Sequence, residues 1–125
     1  VKDIFSIEQM LPAIGQGAIA LQCRNDNQKT LDIIKMINDA KSYCCIQAER
    51  ALLEAIGGDC DTAVGGFAKL LNEKIILKSE LFSNDGNKKF VAENSGNFKE
   101  AREIGYKAGK ELLKKAGSDF KVQGN

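Results

Sequence analysis

The sequence predicts an α+β domain: a three-stranded antiparallel sheet with helices packed on one face, preceded by a strand segment. Three observations support this fold class. The hydrophobic period is helical before residue 57, alternates like a strand after residue 63, and becomes helical again after residue 97. An Asp-Gly pair between two alternating segments is a strong hairpin signal. With 125 residues, 43% of them hydrophobic, the chain is long enough to bury one core.

The first third of the chain contains an apolar segment and a short helical pattern. The sequence AIALQCR at 18–24 follows a glycine-rich bend, GQG, and is predicted to be a strand. Gln16 and Gly17 lie in that bend. In LDIIKMI at 31–37, apolar residues recur at helical spacing, and Thr30 can cap the helix.

A second, longer helix is predicted within residues 39–57. Asp39 or Ser42 can cap its start, and the pair Gly57-Gly58 supplies its end. The spacing of apolar residues puts one stripe of the helix toward a core, made of Cys44, Ala48, Ala51, Leu52 and Ala55. The helix therefore ends directly at a loop that carries Cys60.

Three strand candidates follow, at 64–71, 74–82 and 88–95. They are joined by Asn-Glu and by Ser-Asn-Asp-Gly-Asn, so an antiparallel meander is expected. The last element is a helix within 97–117, ended by Gly117. Its predicted apolar stripe consists of Phe98, Ala101, Ile104 or Gly105, Ala108, Leu112 and Ala116.

Composition excludes several classes of protein. A net charge of +1 gives no electrostatic reason to expect a nucleic acid or an anionic membrane as partner, and no apolar run is long enough to span a bilayer. The chain starts at Val1 and shows no secretory leader, which suggests an excised fragment or a processed product. We expect a cytoplasmic location.

Cysteine usage favours reduced thiols. The four cysteines are Cys23, Cys44, Cys45 and Cys60. An adjacent pair, no Cys-x-x-Cys and no histidine argue against a disulfide scaffold and against a metal site. Cys44 and Cys45 are expected to serve as small hydrophobic residues of their helix, and Cys23 is interpreted in the same way.

The loop AIGGDCDTAVGG places Cys60 between two carboxylates and between pairs of glycines. Asp59 and Asp61 should raise the pKa of the thiol, which argues against a standing thiolate. The glycines at 57, 58, 65 and 66 would let a bulky group approach the cysteine. From the residues alone three interpretations stay open: a non-catalytic α+β interaction domain with an incidental loop cysteine, a thiol redox enzyme, and an anchor that captures an electrophile once.

Three blocks of the sequence resemble the porphobilinogen deaminase (hydroxymethylbilane synthase) family. LPAIGQGAIALQCR at 11–24 resembles the segment that crosses between the family's first two domains. AERALLEAIGGDCDTAVGGFA at 48–68 resembles the helix and loop that bear the cofactor cysteine. IGYKAGKELLKKAG at 104–117 resembles the closing helix of the third domain.

The resemblance implies a transferase of heme and porphyrin biosynthesis that joins four porphobilinogen units into linear hydroxymethylbilane and releases ammonia at each step. It implies that Cys60 holds a dipyrromethane primer through a thioether. The family's catalytic aspartate and carboxylate-binding arginines lie in its first two domains, so no catalytic residue is expected in this chain. Two departures are Ala63, where the family usually has proline, and Gln22, where it often has glutamate.

The resemblance also implies a division of the chain. Residues 1–24 would be a hinge strand belonging with the first two domains, and 25–125 the C-terminal domain that bears the dipyrromethane. Gln16 and Gly17 would lie near the cleft between domains. Porphobilinogen and pyrrole-chain intermediates would be the partners, shared with those domains. An unpaired strand at 18–24 would favour self-association.

Overall fold

The structure is a computed structural model that describes residues 2–57 and 62–120. Within those residues the elements are α1 (Gln28–Ile37), α2 (Ala40–Ile56), β1 (Val64–Leu71), β2 (Lys74–Phe82), β3 (Lys89–Asn97) and α3 (Ala101–Ala116). Short 3-10 turns at Phe98–Glu100 and Gly117–Asp119 flank α3. The predicted α+β class is confirmed. The predicted anchor, Cys60, lies outside the described residues.

The three strands form an antiparallel meander in the order β1-β2-β3. The two-residue turn between β1 and β2 consists of Asn72 and Glu73, whose φ angles of 47° and 63° are both positive. Two left-handed residues are typical of the type I′ turn, whose twist matches that of the flanking strands. The predicted bounds of β1 and β2 are confirmed, and β3 runs to Asn97, two residues beyond the prediction.

The turn between β2 and β3 is organised by the side chain of Asp85. Its Oδ1 accepts hydrogen bonds from the hydroxyl of Ser83 and from the backbone N–H of Asn87, the latter at 3.1 Å. These bonds favour the ionised carboxyl, and they lower the pKa of Asp85 to about 2. Gly86 takes a φ of 74°, as the predicted Asp-Gly turn requires.

Helix α2 begins and ends where the sequence indicates. The carboxylate of Asp39 accepts a hydrogen bond from the backbone N–H of Ser42 at 3.0 Å, so Asp39 is the cap and Ser42 lies inside the first turn. Gly57 follows the helix in the left-handed conformation at φ 71°, and its N–H bonds the carbonyl of Leu53.

Helix α1 starts three residues before the predicted segment. Its cap is Asn27, whose side-chain oxygen accepts from the N–H of Thr30 at 3.1 Å, so the prediction that Thr30 caps the helix is wrong. Asn27 is the better cap because its side-chain oxygen Oδ1 reaches the backbone N–H of Thr30, which places Thr30 in the first turn. α1 contains no buried residue.

The core lies between the sheet and the pair formed by α2 and α3. Its largest fully buried side chains are Leu52, Ile56, Ile75, Leu77, Leu81 and Leu112. The predicted apolar stripe of α3 is confirmed, because its members from Ala101 to Ala116 are buried, Ile104 and Gly105 among them.

Two glycines let α2 and α3 approach until their backbones touch. A Cβ built on Gly105 would overlap the carbonyl oxygen of Ala48, and it would lie 2.8 Å from the Cβ of Ala51. A Cβ on Gly109 would lie 2.6 Å from the Cβ of Ala55. No side chain fits at either position without moving a helix.

Residues 18–24 form no strand in this structure, in contrast to the prediction. A strand needs a neighbour to bond its backbone, and the described residues put none beside this segment. Ile19 is 91% exposed, and Leu21 is also largely exposed. The assignment of 1–24 to other domains, and self-association through this segment, stay predictions.

The two outer strands of the sheet are partly covered. Pro12 and Ala13 lie along β1, with the Pro12 carbonyl accepting from the N–H of Gly66 at 2.9 Å. At the other edge, the Nζ of Lys115 donates to the carbonyl of Val91 on β3 at 2.6 Å. Covered edges limit pairing with other chains.

Candidate functional site

The loop that carries Cys60 leaves the end of α2 and enters β1. Its described neighbours are held at both ends: Gly57 bonds back into α2, and the carbonyl of Ala63 accepts from the N–H of Phe82 at 3.0 Å. That second bond extends the β1–β2 pairing one residue toward the loop. The frame around the loop is therefore made by α2, β1 and β2.

Gly65 and Gly66 do not flank an open loop as the sequence suggested. Both are buried within β1. A Cβ built on Gly65 would lie 3.1 Å from the Cβ of Leu11, and one on Gly66 would lie 2.5 Å from the Cδ1 of Ile14. The N-terminal segment thus occupies the space beside these two glycines, and the access they were expected to give to Cys60 stays a prediction.

A buried carboxylate ties this N-terminal segment to the body of the domain. Glu49, on α2, is 5% exposed. Its Oε2 accepts from the N–H of Gly15 at 2.8 Å, and its Oε1 accepts from the N–H of Ala68, on β1, at 2.9 Å. Burial raises the pKa of the Glu49 carboxyl, and the two backbone bonds oppose that rise.

The bend residues Gln16 and Gly17 lie at the surface beside this contact. The N–H of Gln16 bonds the carbonyl of Ala13 at 3.0 Å, and Gly17 takes a φ of 85°. Gln16 lines a cavity of about 300 Å³, together with Cys45 and Glu49. The segment 13–17 is thus a turn seated against α2, and its position near a cleft between domains stays a prediction.

The adjacent cysteines of α2 pack against the core. Cys44 and Cys45 are half-buried, and the thiol of Cys44 lies 3.9 Å from the carbonyl oxygen of Phe98. Burial raises the pKa of both thiols, which keeps them protonated at neutral pH. Both behave as small hydrophobic residues rather than as nucleophiles.

The arginines do not form a site for carboxylate groups. Arg102 pairs with Glu54 at 2.8 Å and lies over the ring of Tyr106. Arg24 is 3.6 Å from Asp26. Arg24 and Arg102 are thus engaged with acidic side chains on separate parts of the surface.

The described residues contain neither a cluster of metal ligands nor a membrane-spanning helix. Within 2–57 and 62–120, no group of three or more His, Cys, Asp or Glu side chains could hold a metal ion. In the same residues, no helix combines the length and hydropathy needed to cross a membrane.

The family model for the porphobilinogen deaminase C-terminal domain matches residues 43–114, more than half of the chain. The chain belongs to the porphobilinogen deaminase family. The matched range contains most of α2, the whole sheet, most of α3 and the residue Cys60.

Curated relatives extend the match toward the N-terminus. A porphobilinogen deaminase of Coxiella burnetii is 36% identical over 116 residues, which cover 93% of this chain and 38% of that protein. One from Ehrlichia chaffeensis is 39% identical over 113 residues, covering 90% and 38% of the two chains. One from Macrococcus caseolyticus is 35% identical over 96 residues, covering 77% and 31%. The chain thus spans about two fifths of the length of the first two relatives.

Sequence reasoning missed Glu49. An isolated acidic residue beside the buried Ala48 is a signal, since a charged side chain at the border of an apolar stripe needs a partner. The partners, Gly15 and Ala68, are 34 and 19 residues away along the chain. No local pattern could have named them.

Proposed function

We propose that this chain is the C-terminal part of a hydroxymethylbilane synthase, which joins four porphobilinogen units into linear hydroxymethylbilane with release of ammonia. The observation that carries the proposal is the family match across α2, the loop and the sheet. The substrates and intermediates would be shared with domains not contained in this chain, and the enzyme would be cytoplasmic.

Within that enzyme, Cys60 is the anchor of a covalently bound dipyrromethane. A thioether suits an anchor, because it is not broken by thiol–disulfide exchange. The dipyrromethane supplies the primer on which the pyrrole chain grows. The α2 cap at Gly57 and the hydrogen bond between Ala63 and Phe82 support this role, since they fix the described residues on either side of Cys60.

The described residues fit this group in part. They offer two packed elements, α2 and β1, on either side of residues 58–61, as an anchor requires. The arginines fit less well, because Arg102 is paired with Glu54 and Arg24 lies near Asp26. The acidic groups of a pyrrole chain would therefore find their cationic partners in other domains.

The anchor is tested by intact-protein mass on the full gene product. We expect the wild type to carry a covalent dipyrromethane and C60S to carry none. C23S, a cysteine change outside the loop, is the matched control and should keep the adduct. A normal adduct on C60S would refute the assignment, and an unmodified but active wild type would favour an enzyme of another class.

The chain by itself should form no hydroxymethylbilane, because the residues expected to catalyse the condensation are not in it. Incubation of the purified 125-residue chain with porphobilinogen measures this. Turnover above the uncatalysed background would contradict the proposal.

A further inference from the structure

The segment 11–15 contacts β1 on both of its faces, an arrangement that we term the grip. Ala13 pairs with Gly65, and the Pro12 carbonyl bonds the Gly66 N–H, so the segment continues the sheet at its β1 edge. Leu11 closes over Gly65, and Ile14 closes over Gly66 on the opposite face.

The tandem glycines make this grip possible. The Cδ1 of Ile14 lies 2.5 Å from the place that a Cβ on Gly66 would occupy, and the Cδ2 of Leu52 lies 3.1 Å from it. Ile14 thereby packs against the core of the domain. Any side chain at position 66 must displace either Ile14 or the buried Leu52, and Leu52 is held by the core.

Glu49 closes the grip from the helix side. One carboxylate oxygen bonds the segment at Gly15, and the other bonds β1 at Ala68. A single buried side chain on α2 therefore joins the segment, the helix and the strand.

Helix α2 and strand β1 are the two elements that border the Cys60 loop, since α2 ends at Ile56 and β1 begins at Val64. We propose that the segment 11–15 fixes β1 against α2, the two elements on either side of Cys60, with Gly66 and Glu49 as its positioning residues. This inference rests on the proposed function of Cys60. A movement of the segment would therefore shift α2 and β1 relative to each other.

The first experiment uses the full gene product with G66A, I14A and the double variant G66A/I14A. G66A should retain the covalent primer and lose about tenfold or more in turnover, since a misplaced group commonly costs that much. Because I14A frees the space that the new methyl group needs, the double variant should recover most of the lost turnover. K29A, a change at an exposed residue of α1, is the control.

Two results would overturn the inference: G66A with wild-type turnover, or a double variant no better than G66A. If the wild type carries no pyrrole on Cys60, the proposed function itself has failed. The second experiment still decides whether the grip exists in that case.

The second experiment measures amide exchange in the 125-residue chain. In G66A the N–H of residue 66 should exchange much faster than in the wild type, and G66A/I14A should restore its protection. In E49Q, which replaces one acceptor oxygen by a donor group, protection should fall at Gly15 or Ala68. E54Q, on the exposed side of α2, is the matched control. Unchanged protection at all three amides in G66A and E49Q would refute the grip.

Discussion

The region from α2 to α3 and the region before it contain similar local patterns and differ in burial. Both have a capped helix and apolar residues at regular spacing. In the first, Leu52 and Leu112 are fully buried, whereas in the second, Met36 of α1 is 84% exposed. A local pattern therefore specifies an element, and its burial depends on a partner elsewhere in the molecule. The segment 11–15 is the exception in the N-terminal region, because β1 supplies its partner.

The variant with the largest expected effect on this comparison is G105A. In an exposed helix this change would stabilise by roughly 1 kcal/mol. Here the methyl group would overlap the backbone of Ala48, so we expect a loss of about 3 kcal/mol or more in the free energy of unfolding. Denaturant titration measures it.

The control for that variant is K110A, on the solvent side of the same helix. It should stay within about 0.5 kcal/mol of the wild type. A stable G105A would mean that α2 and α3 are not in backbone contact, and the contrast between the two regions would weaken.

The two helix caps give a matched and smaller test. D39A removes the cap of α2 and should lower the free energy of global unfolding by about 1 kcal/mol. N27A removes the same kind of cap from α1, and it should speed amide exchange in 28–37 while leaving global unfolding unchanged. Equal effects of both variants on global unfolding would show that α1 belongs to the cooperative unit.

The smallest expected effect is a pH dependence within the sheet region. The pKa of Asp85 falls from its ordinary value of 3.8 to about 2 on folding. Its contribution to stability is therefore complete above pH 3.8, and it is lost as the pH falls through about 2. In D85N, the melting temperature should therefore depend less on pH between about 2 and 3.8 than in the wild type.

D3N, at an exposed aspartate of the N-terminal region, is the control for that pH series. It should leave the pH dependence of the melting temperature as in the wild type. A D85N curve that follows the wild type down to pH 2 would contradict the role of the Asp85 turn.

The elements fixed by neighbouring residues were predictable. β1 and β2, the Asp39 cap and the Gly57 end each depend on residues within a few positions, and the structure confirms them. The predicted strand at 18–24 failed because pairing requires a second chain segment, which apolar alternation does not reveal.

The site was predictable only in part, for a related reason. The resemblance named Cys60 from a local motif, and the family match includes that residue in its range. The roles of Gly66 and Glu49 depend on contacts with Ile14 and Gly15, far away in the sequence. Gly66 was interpreted as a residue of an open loop because its neighbour Ile14 cannot be identified from the residues close to Gly66 in the sequence.

The covered sheet edges bear on how the protein should be handled. Lys115 covers β3 at Val91, while β1 is covered by the segment around Pro12 and Ala13. A protease that trims this segment would leave the N–H of Gly66 on β1 without its partner, and an uncovered strand edge favours pairing with a strand from another molecule. Preparations nicked before residue 16 should therefore aggregate on storage sooner than intact ones.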